Sequence, residues 1–564
     1  MANNNNKRNN RRGGNNNRGN GGGNNSRNNF NSTSTKPNSG EQSTPVTKET
    51  TAITQYMRDV ATVPFNKVAG IPFPMRSYAA NGYYATKSLS LSGVMRITFA
   101  PCLGVANGDF TDPVNVAARS IYEFVRHANS GAKNYEPGDI MKYFLCSDSI
   151  FTLFAECSRA YRLARYYNAK NMFVPKQLFA ALGIDFNDLV FNLANYRGNL
   201  NRLQQKMKTI MIPKVFRYPL EHIGLVSDVF KDRENERAQL YVFIPEFYWK
   251  YTIPTAAESA KGLATYLKPV YNPAVQSISG ARKLGDMLTL LESLIDAVLT
   301  DSTFALIGGD VLKAYGSTET WEFAPVGEEE AIAPTYVYEM LKRIHNLTVV
   351  PGSVNSRDVT FASGTVSLDT QCIYENSNPA EPEKAGALVC LPQYNSTASN
   401  GWMTMFDQLL DTDLDDPGPD EVVELTRYKA AAAPTSTPSA LSDTVTYQLF
   451  AAGTTVIRDL WIFCTSNQNW VDVLTPAYTW EQFNTQGAHA STTFLARMSH
   501  FDWAPFVPII GGSLYNQSSG LQYISVAGDI DNLTTINPEQ LDAIQRWRVV
   551  QIFNIPLGGV STAK

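Results

Sequence analysis

The chain has 564 residues, 43% of them apolar and 18% charged, with a formal net charge of −4. That length exceeds one usual domain and the apolar share supports sizeable cores, so a wholly disordered chain is excluded and two or three compact units are expected. The N-terminus lacks the apolar core of a secretory leader and no run of about 18 apolar residues occurs, so neither secretion nor a helical membrane anchor is expected.

The net charge conceals an asymmetry. Residues 1–40 carry Lys7, Arg8, Arg11, Arg12, Arg18, Arg27 and Lys36 and no acid, so the remainder holds 41 basic against 52 acidic residues, or −11. The arm is mostly Asn and Gly, with Phe30 its one aromatic residue. Ordering forty residues costs about 40–80 kcal/mol, and burying one Phe returns only about 2–3 kcal/mol. Residues 1–45 are therefore predicted to be a disordered basic arm. Its seven cations on a flexible tether suit sequence-independent phosphate neutralisation, and no folded element there presents side chains to base edges.

After the arm, Ile53–Val60 reads as a short helix and Pro64, Pro72 and Pro74 force extended chain. In Ser88–Ala100 the residues Leu89, Leu91, Met95, Ile97 and Phe99 share parity, which predicts one or two strands interrupted at Gly93. From Pro113 to Thr209 the pattern is helical. Ile140, Tyr143, Phe144, Phe151, Phe154, Cys157 and Tyr161 recur at three- and four-residue steps, predicting a helix with one apolar face from an N-cap at Asp139 to about Tyr167. Pro175 suits a first helical turn and Gly183 a left-handed C-terminal cap. Asp185-Phe-Asn-Asp188 resembles a capping box opening a helix through Leu203.

Further on, Tyr241–Pro245 and Phe247–Trp249 read as buried extended chain, and Ala281–Leu299 as a helix with a broad apolar stripe. From about Ala314 the texture turns to alternating segments, Val359–Leu368 and Val445–Leu449, among stretches read as loops at Pro379–Lys384, Asp411–Asp420 and Ala430–Ser439. Asn537-Pro-Glu-Gln540 is a helix-start signature, with Leu541, Ile544 and Trp547 predicted to face inward. The expected divisions are 1–45, 46–313, 314–465 and 466–564, the last returning to the main body.

Val94-Met-Arg-Ile-Thr-Phe-Ala-Pro101, Ala117-Ala-Arg119, Phe124–Gly131, Asp148-Ser149, Gly183-Ile-Asp-Phe186 and Asn192-Leu-Ala194, in this order and spacing, resemble the helical shell region of picobirnavirus capsid proteins. The resemblance is clearest over roughly residues 50–250. It implies a mainly α shell domain (picobirnavirus/partitivirus-like capsid) over 46–313, a β-rich, loop-rich protruding domain over 314–465 and a disordered N-terminal arm. It further implies domain-swapped dimers closing a T=1 icosahedral shell around a double-stranded RNA genome, with the viral RNA-dependent RNA polymerase enclosed, and a virion assembled in the host cytoplasm. Asn and Gly replace much of the Lys density seen in the arms of relatives. The alternative is a cellular RNA-binding protein with a disordered basic tail.

Arg159, Arg162 and Arg165, with Arg202 and Lys206, are candidate inner-wall contacts to RNA, against the reading of solvated helix faces with local ion pairs. Asp411, Asp413 and Asp415 imitate the start of an EF-hand, but Asp416 replaces the required Gly and Val422 the bidentate Glu. Ser499, His500 and Asp502 stand too close in sequence for a triad whose members approach from different directions. Gly308-Gly-Asp310 does not continue into a phosphate loop, and the six cysteines lie far apart. No catalytic residue, metal site or cofactor is predicted.

Overall fold

In this computed structural model the described residues are 91–350 and 407–555 apart from internal breaks, the longest being 254–265, 435–444, 475–494 and 512–521, together with backbone strands between 73 and 89 and between 353 and 374. The chain divides into Met1–Val63 and Pro64–Lys564. Everything below concerns the second unit. The arm and the Ile53–Val60 helix lie outside the described residues.

β1 (Phe73–Tyr78) and β2 (Tyr84–Leu89) pair antiparallel. The chain resumes as β3 (Val94–Pro101) after the break that Gly93 signalled, followed by the short β4 (Ala106–Asn107). β3 is buried along both faces up to Ala100, as its run of large apolar residues requires. A helical block follows: α1 (Pro113–Ala128), α2 (Pro137–Asn168), α3 (Val174–Ala181), α4 (Phe186–Phe191), α5 (Leu193–Met207) and α6 (Tyr218–Ser227). The chain then returns through β5 (Phe230–Lys231) to β6 (Leu240–Pro245), which pairs parallel with β3, Ile97 opposite Phe243. Parallel neighbours need a long crossover, and the six helices supply it.

Next come β7 (Phe247–Thr252), β8 (Tyr266–Tyr271), α7 (Leu284–Leu299), α8 (Ser302–Tyr315) and α9 (Tyr338–His345). Four short strands follow, β9 (Ser353–Val354), β10 (Val359–Ala362), β11 (Thr365–Leu368) and β12 (Gln371–Tyr374). Beyond the break lie β13 (Gln408–Thr412), α10 (Pro419–Leu425), β14 (Ala430–Pro434), β15 (Val445–Ala451), β16 (Thr455–Ser466) and β17 (Asn469–Leu474). β18 (Val507–Gly511), β19 (Gln522–Ala527), β20 (Asn532–Ile536) and α11 (Pro538–Ile552) follow.

The central sheet has the order β17-β16-β3-β6-β5. β16 lies antiparallel to β3 with Trp461 opposite Arg96, and the Arg96 guanidinium sits 5.0 Å from the Trp461 ring centroid and 5.5 Å from that of Phe463. A second sheet runs β4-β11-β10-β8-β7 and a third β14-β15-β12-β9.

The structure revises several sequence expectations. From Ile140 to Ala164 every residue of α2 except Arg162 is buried, so the helix is enclosed on all sides rather than packed by one face. It begins at Pro137, two residues before the expected cap. Asp139 lies in the first turn, and its Oδ2 accepts from the Glu136 N–H at 3.0 Å. The expected helix from Asp185 is broken at Asn192, although Asp185 does cap it, accepting from the Asn187 and Asp188 N–H groups. Ala430–Pro434, expected as loop, is a strand because β15 pairs along its whole length. Trp547 is 45% exposed, while Gln545, Arg548 and Val549 take the inward positions beside Leu541.

The 314–465 segment shares side chains with the central body. Leu341 and Ile344 of α9 and Ile457, Leu460 and Ile462 of β16 join the same buried cluster as Ile97 and Phe243. The C-terminal segment also meets that body: Arg217 N–H donates to Ile552 O at 2.8 Å, and Phe553 stacks on Tyr218 at 5.4 Å.

Candidate nucleic-acid interface

The strongest sequence candidates, Lys7, Arg8, Arg11, Arg12, Arg18, Arg27 and Lys36, lie outside the described residues. The second set, on α2 and α5, is fully described, and it is engaged within the fold. Arg159 is entirely buried and donates from Nη1 to Asp228 O (3.2 Å) and from Nη2 to Phe243 O (3.0 Å). Burial holds its pKa below the usual guanidinium range, against the nearby Glu156 carboxylate. Arg159 thus secures α2 to β6 and is no wall contact to RNA.

One turn on, Arg162 pairs with Glu330 at 2.7 Å and Arg165 with Glu329 at 2.5 Å, while Arg197 of α5 stands 3.7 Å from Glu328. The Glu328-Glu329-Glu330 run therefore meets three arginines with three carboxylates. Arg202 and Lys206 of α5 both reach Glu292 of α7, at 2.8 and 2.7 Å, and Lys206 also meets Asp296 at 3.2 Å. Hydrogen bonds from Arg202 and Lys206 hold the Glu292 carboxyl down at about 2. These cations form local ion pairs, the alternative weighed from the sequence.

The other motifs separate in space. Asp411 is buried, its carboxylate accepting from Asp531 N–H at 3.0 Å, whereas Asp413 turns to Lys342 at 2.5 Å and to the Tyr338 hydroxyl, and Asp415 is exposed. No group of three or more potential metal-ligating side chains is gathered among the described residues. Ser499 Oγ donates to Ala496 O at 2.8 Å, His500 Nδ1 accepts from Ser92 N–H at 3.2 Å, and Asp502 pairs with Arg233. The three side chains serve three different partners and form no relay. Gly308 lies inside α8, against the Tyr143 hydroxyl.

Sequence periodicity missed the polar side chains that α2 carries into the core. Asp148 faces His222 of α6 at 2.8 Å, and Ser149 Oγ accepts from Trp249 N–H at 3.0 Å. Glu156 accepts from the Tyr248 hydroxyl and, at 3.3 Å, from Asn272. These contacts tie the helix to α6, to β7 at two places and to Asn272 after β8, and buried polar groups are retained only when so satisfied. The signal available in the sequence was the polar residues interleaved with the apolar stripe.

A fold built around one enclosed helix and a sheet closed by a distant strand has known counterparts. The sequence family described as Picobirnavirus, Capsid protein matches residues 50–483. The chain belongs to this capsid protein family. A capsid protein precursor of Human picobirnavirus (strain Human/Thailand/Hy005102/-) is 30% identical over 288 residues, which is 49% of this chain and 50% of that relative. The match therefore spans half the length of the curated picobirnavirus relative. The crystal structure of the picobirnavirus capsid superposes with a TM-score of 0.74 at 24% identity, covering 90% of this chain and 98% of that one, and shows that the picobirnavirus capsid fold is shared. Membership in a capsid protein family leaves the cellular RNA-binding alternative without support. No helix among the described residues is long and apolar enough to cross a membrane.

Proposed function

We propose that this chain is the coat subunit of a small virus with a double-stranded RNA genome, forming domain-swapped dimers that close into a T=1 icosahedral shell in the host cytoplasm. The observation that carries this reading is the family match over residues 50–483, supported by a fold shared along nine-tenths of the chain. In this reading α1–α6 and the central sheet form the wall of the virion, and the β14-β15-β12-β9 sheet belongs to the outward projection. The polymerase is enclosed with the genome.

Some large apolar side chains are exposed on the described surface. Phe191, Ile253 and Leu306 are 86%, 69% and 57% exposed. Covering such a side chain is worth about 1.5–3 kcal/mol, and contacts between subunits would do so.

RNA contact is assigned to Lys7, Arg8, Arg11, Arg12, Arg18, Arg27 and Lys36, the more so because the ion pairs of α2 and α5 leave those helices little free charge. Many weak arms inside one closed volume act at high effective concentration, so each needs little affinity of its own. Deleting residues 1–40 tests the assignment. Closed shells with markedly less RNA are expected, and unassembled subunits would assign the arm to assembly instead.

A further inference from the structure

A cavity of about 270 Å³ opens where α6, α9, α11 and the turns before β14 and β16 meet, and three arginines line it: Arg343, Arg427 and Arg548. Two of them divide one carboxylate. Arg427 donates from Nη2 to Glu424 Oε1 at 2.6 Å, and Arg343 donates to the other oxygen of Glu424. Arg548, whose side chain is 2% exposed, pairs with Glu221, which also accepts from Thr454 Oγ1 at 2.8 Å. Three guanidiniums thus face two carboxylates. Asp228 also lines the cavity, but the charges that act on it are Arg159 and Arg162.

Donors remain over. Nε and Nη1 of Arg548, and Nε of both Arg343 and Arg427, are buried with no hydrogen-bond acceptor among the described residues. Leaving such a charged donor unsatisfied is costly, and a guanidinium fork matches the oxygens of a phosphate group. The cations also act on one another: burial lowers the Arg427 pKa, and Arg548 and Arg343 lower it further. The volume is just under the range of about 300–1,000 Å³ usual for ligand pockets and far above that of one water. It suits a single phosphate group, not a duplex.

We propose that this cavity binds a small phosphate-bearing anion, either free orthophosphate or the terminal phosphate of a nucleotide. The ligand would bridge α6, α9, Arg427 and α11, four segments far apart in the sequence.

Equilibrium dialysis of the full chain with radiolabelled inorganic phosphate, against chloride at equal ionic strength, tests it. Saturable uptake is expected, approaching one phosphate per chain. Arg427→Gln should weaken it about tenfold or more while leaving the melting temperature in chloride little changed, since Glu424 keeps its hydrogen bond to Arg343. Arg548→Gln should abolish it. Competition by ATP makes a nucleotide the source and its failure leaves free phosphate, and both uphold the site. No saturable uptake by the native chain would overturn the proposal. So would equal uptake by both variants, which would place the phosphate on the basic arm.

Discussion

His222 Nδ1 lies 2.8 Å from Asp148 Oδ2, and the opposite ring nitrogen lies 3.2 Å from Thr454 O, so one buried imidazole joins α2, α6 and the segment entering β16. Burial opposes protonation of His222, but the charge and hydrogen bond of Asp148 and the Thr454 carbonyl outweigh it, and its pKa lies above the usual imidazole range. Burial raises the Asp148 carboxyl as well, which taken alone would favour a neutral pair. A neutral pair, in which a protonated Asp148 donates to Nδ1 while Nε2–H donates to Thr454 O, fits the same two distances. The raised His222 favours the charged pair, in which the imidazolium donates to both.

A pH dependence follows. A group whose folded pKa is raised contributes fully below its unfolded value, about 6.5 for His, and loses that contribution as pH rises through the folded value. The melting temperature should therefore fall as pH is raised from about 6.5, and His222→Gln should flatten that part of the profile. Asp148→Asn, which strands the imidazolium, should cost about 3–5 kcal/mol in denaturant unfolding at neutral pH.

Arg159 and Arg165 lie six residues apart on α2 and should respond in opposite ways. Arg159→Glu buries an uncompensated charge beside Glu156 and should cost at least about 3–5 kcal/mol, so that little folded protein is recovered. Arg165→Gln removes a pair whose Glu329 side chain is 85% exposed, and should change stability by no more than about 1 kcal/mol. Thermal melts of the two variants check both expectations. A folded, native-like Arg159→Glu would refute the structural role given to that residue.

Gly183 has φ +68°, and a Cβ built there would stand 2.2 Å from Ala274 O. Gly183→Ala thus combines left-handed strain with a backbone clash and should destabilise by more than about 1 kcal/mol. Gly198, inside α5 with open space around its Cβ position, is the control: Gly198→Ala should be neutral or slightly stabilising. Parallel denaturant titrations separate the two.

Local signals were legible because their physics is local. Asn537 and Gln540 form the reciprocal capping box their spacing announced, Asp185 caps its helix, and Gly183 takes the left-handed conformation. What failed depended on partners far along the chain. The three-residue spacing of Arg159, Arg162 and Arg165 looks like a solvated stripe until Asp228, 69 residues from Arg159, Phe243, 84 residues from it, and Glu329, 164 residues from Arg165, close over it with Glu330. Ala430–Pro434 has little strand propensity and is extended only because β15 pairs with it. Trp547 belongs by size in a core, but Gln545 and Arg548 occupy the inward face of α11 instead. Nothing local marks Arg343, Arg427 and Arg548 as neighbours.

Negative-stain electron microscopy of the purified full-length chain, imaged over a range of concentrations and ionic strengths, tests the central claim most directly. Closed hollow particles of uniform diameter are predicted. A population that stays monomeric or dimeric under every condition would contradict the assignment of this chain as a self-closing coat subunit.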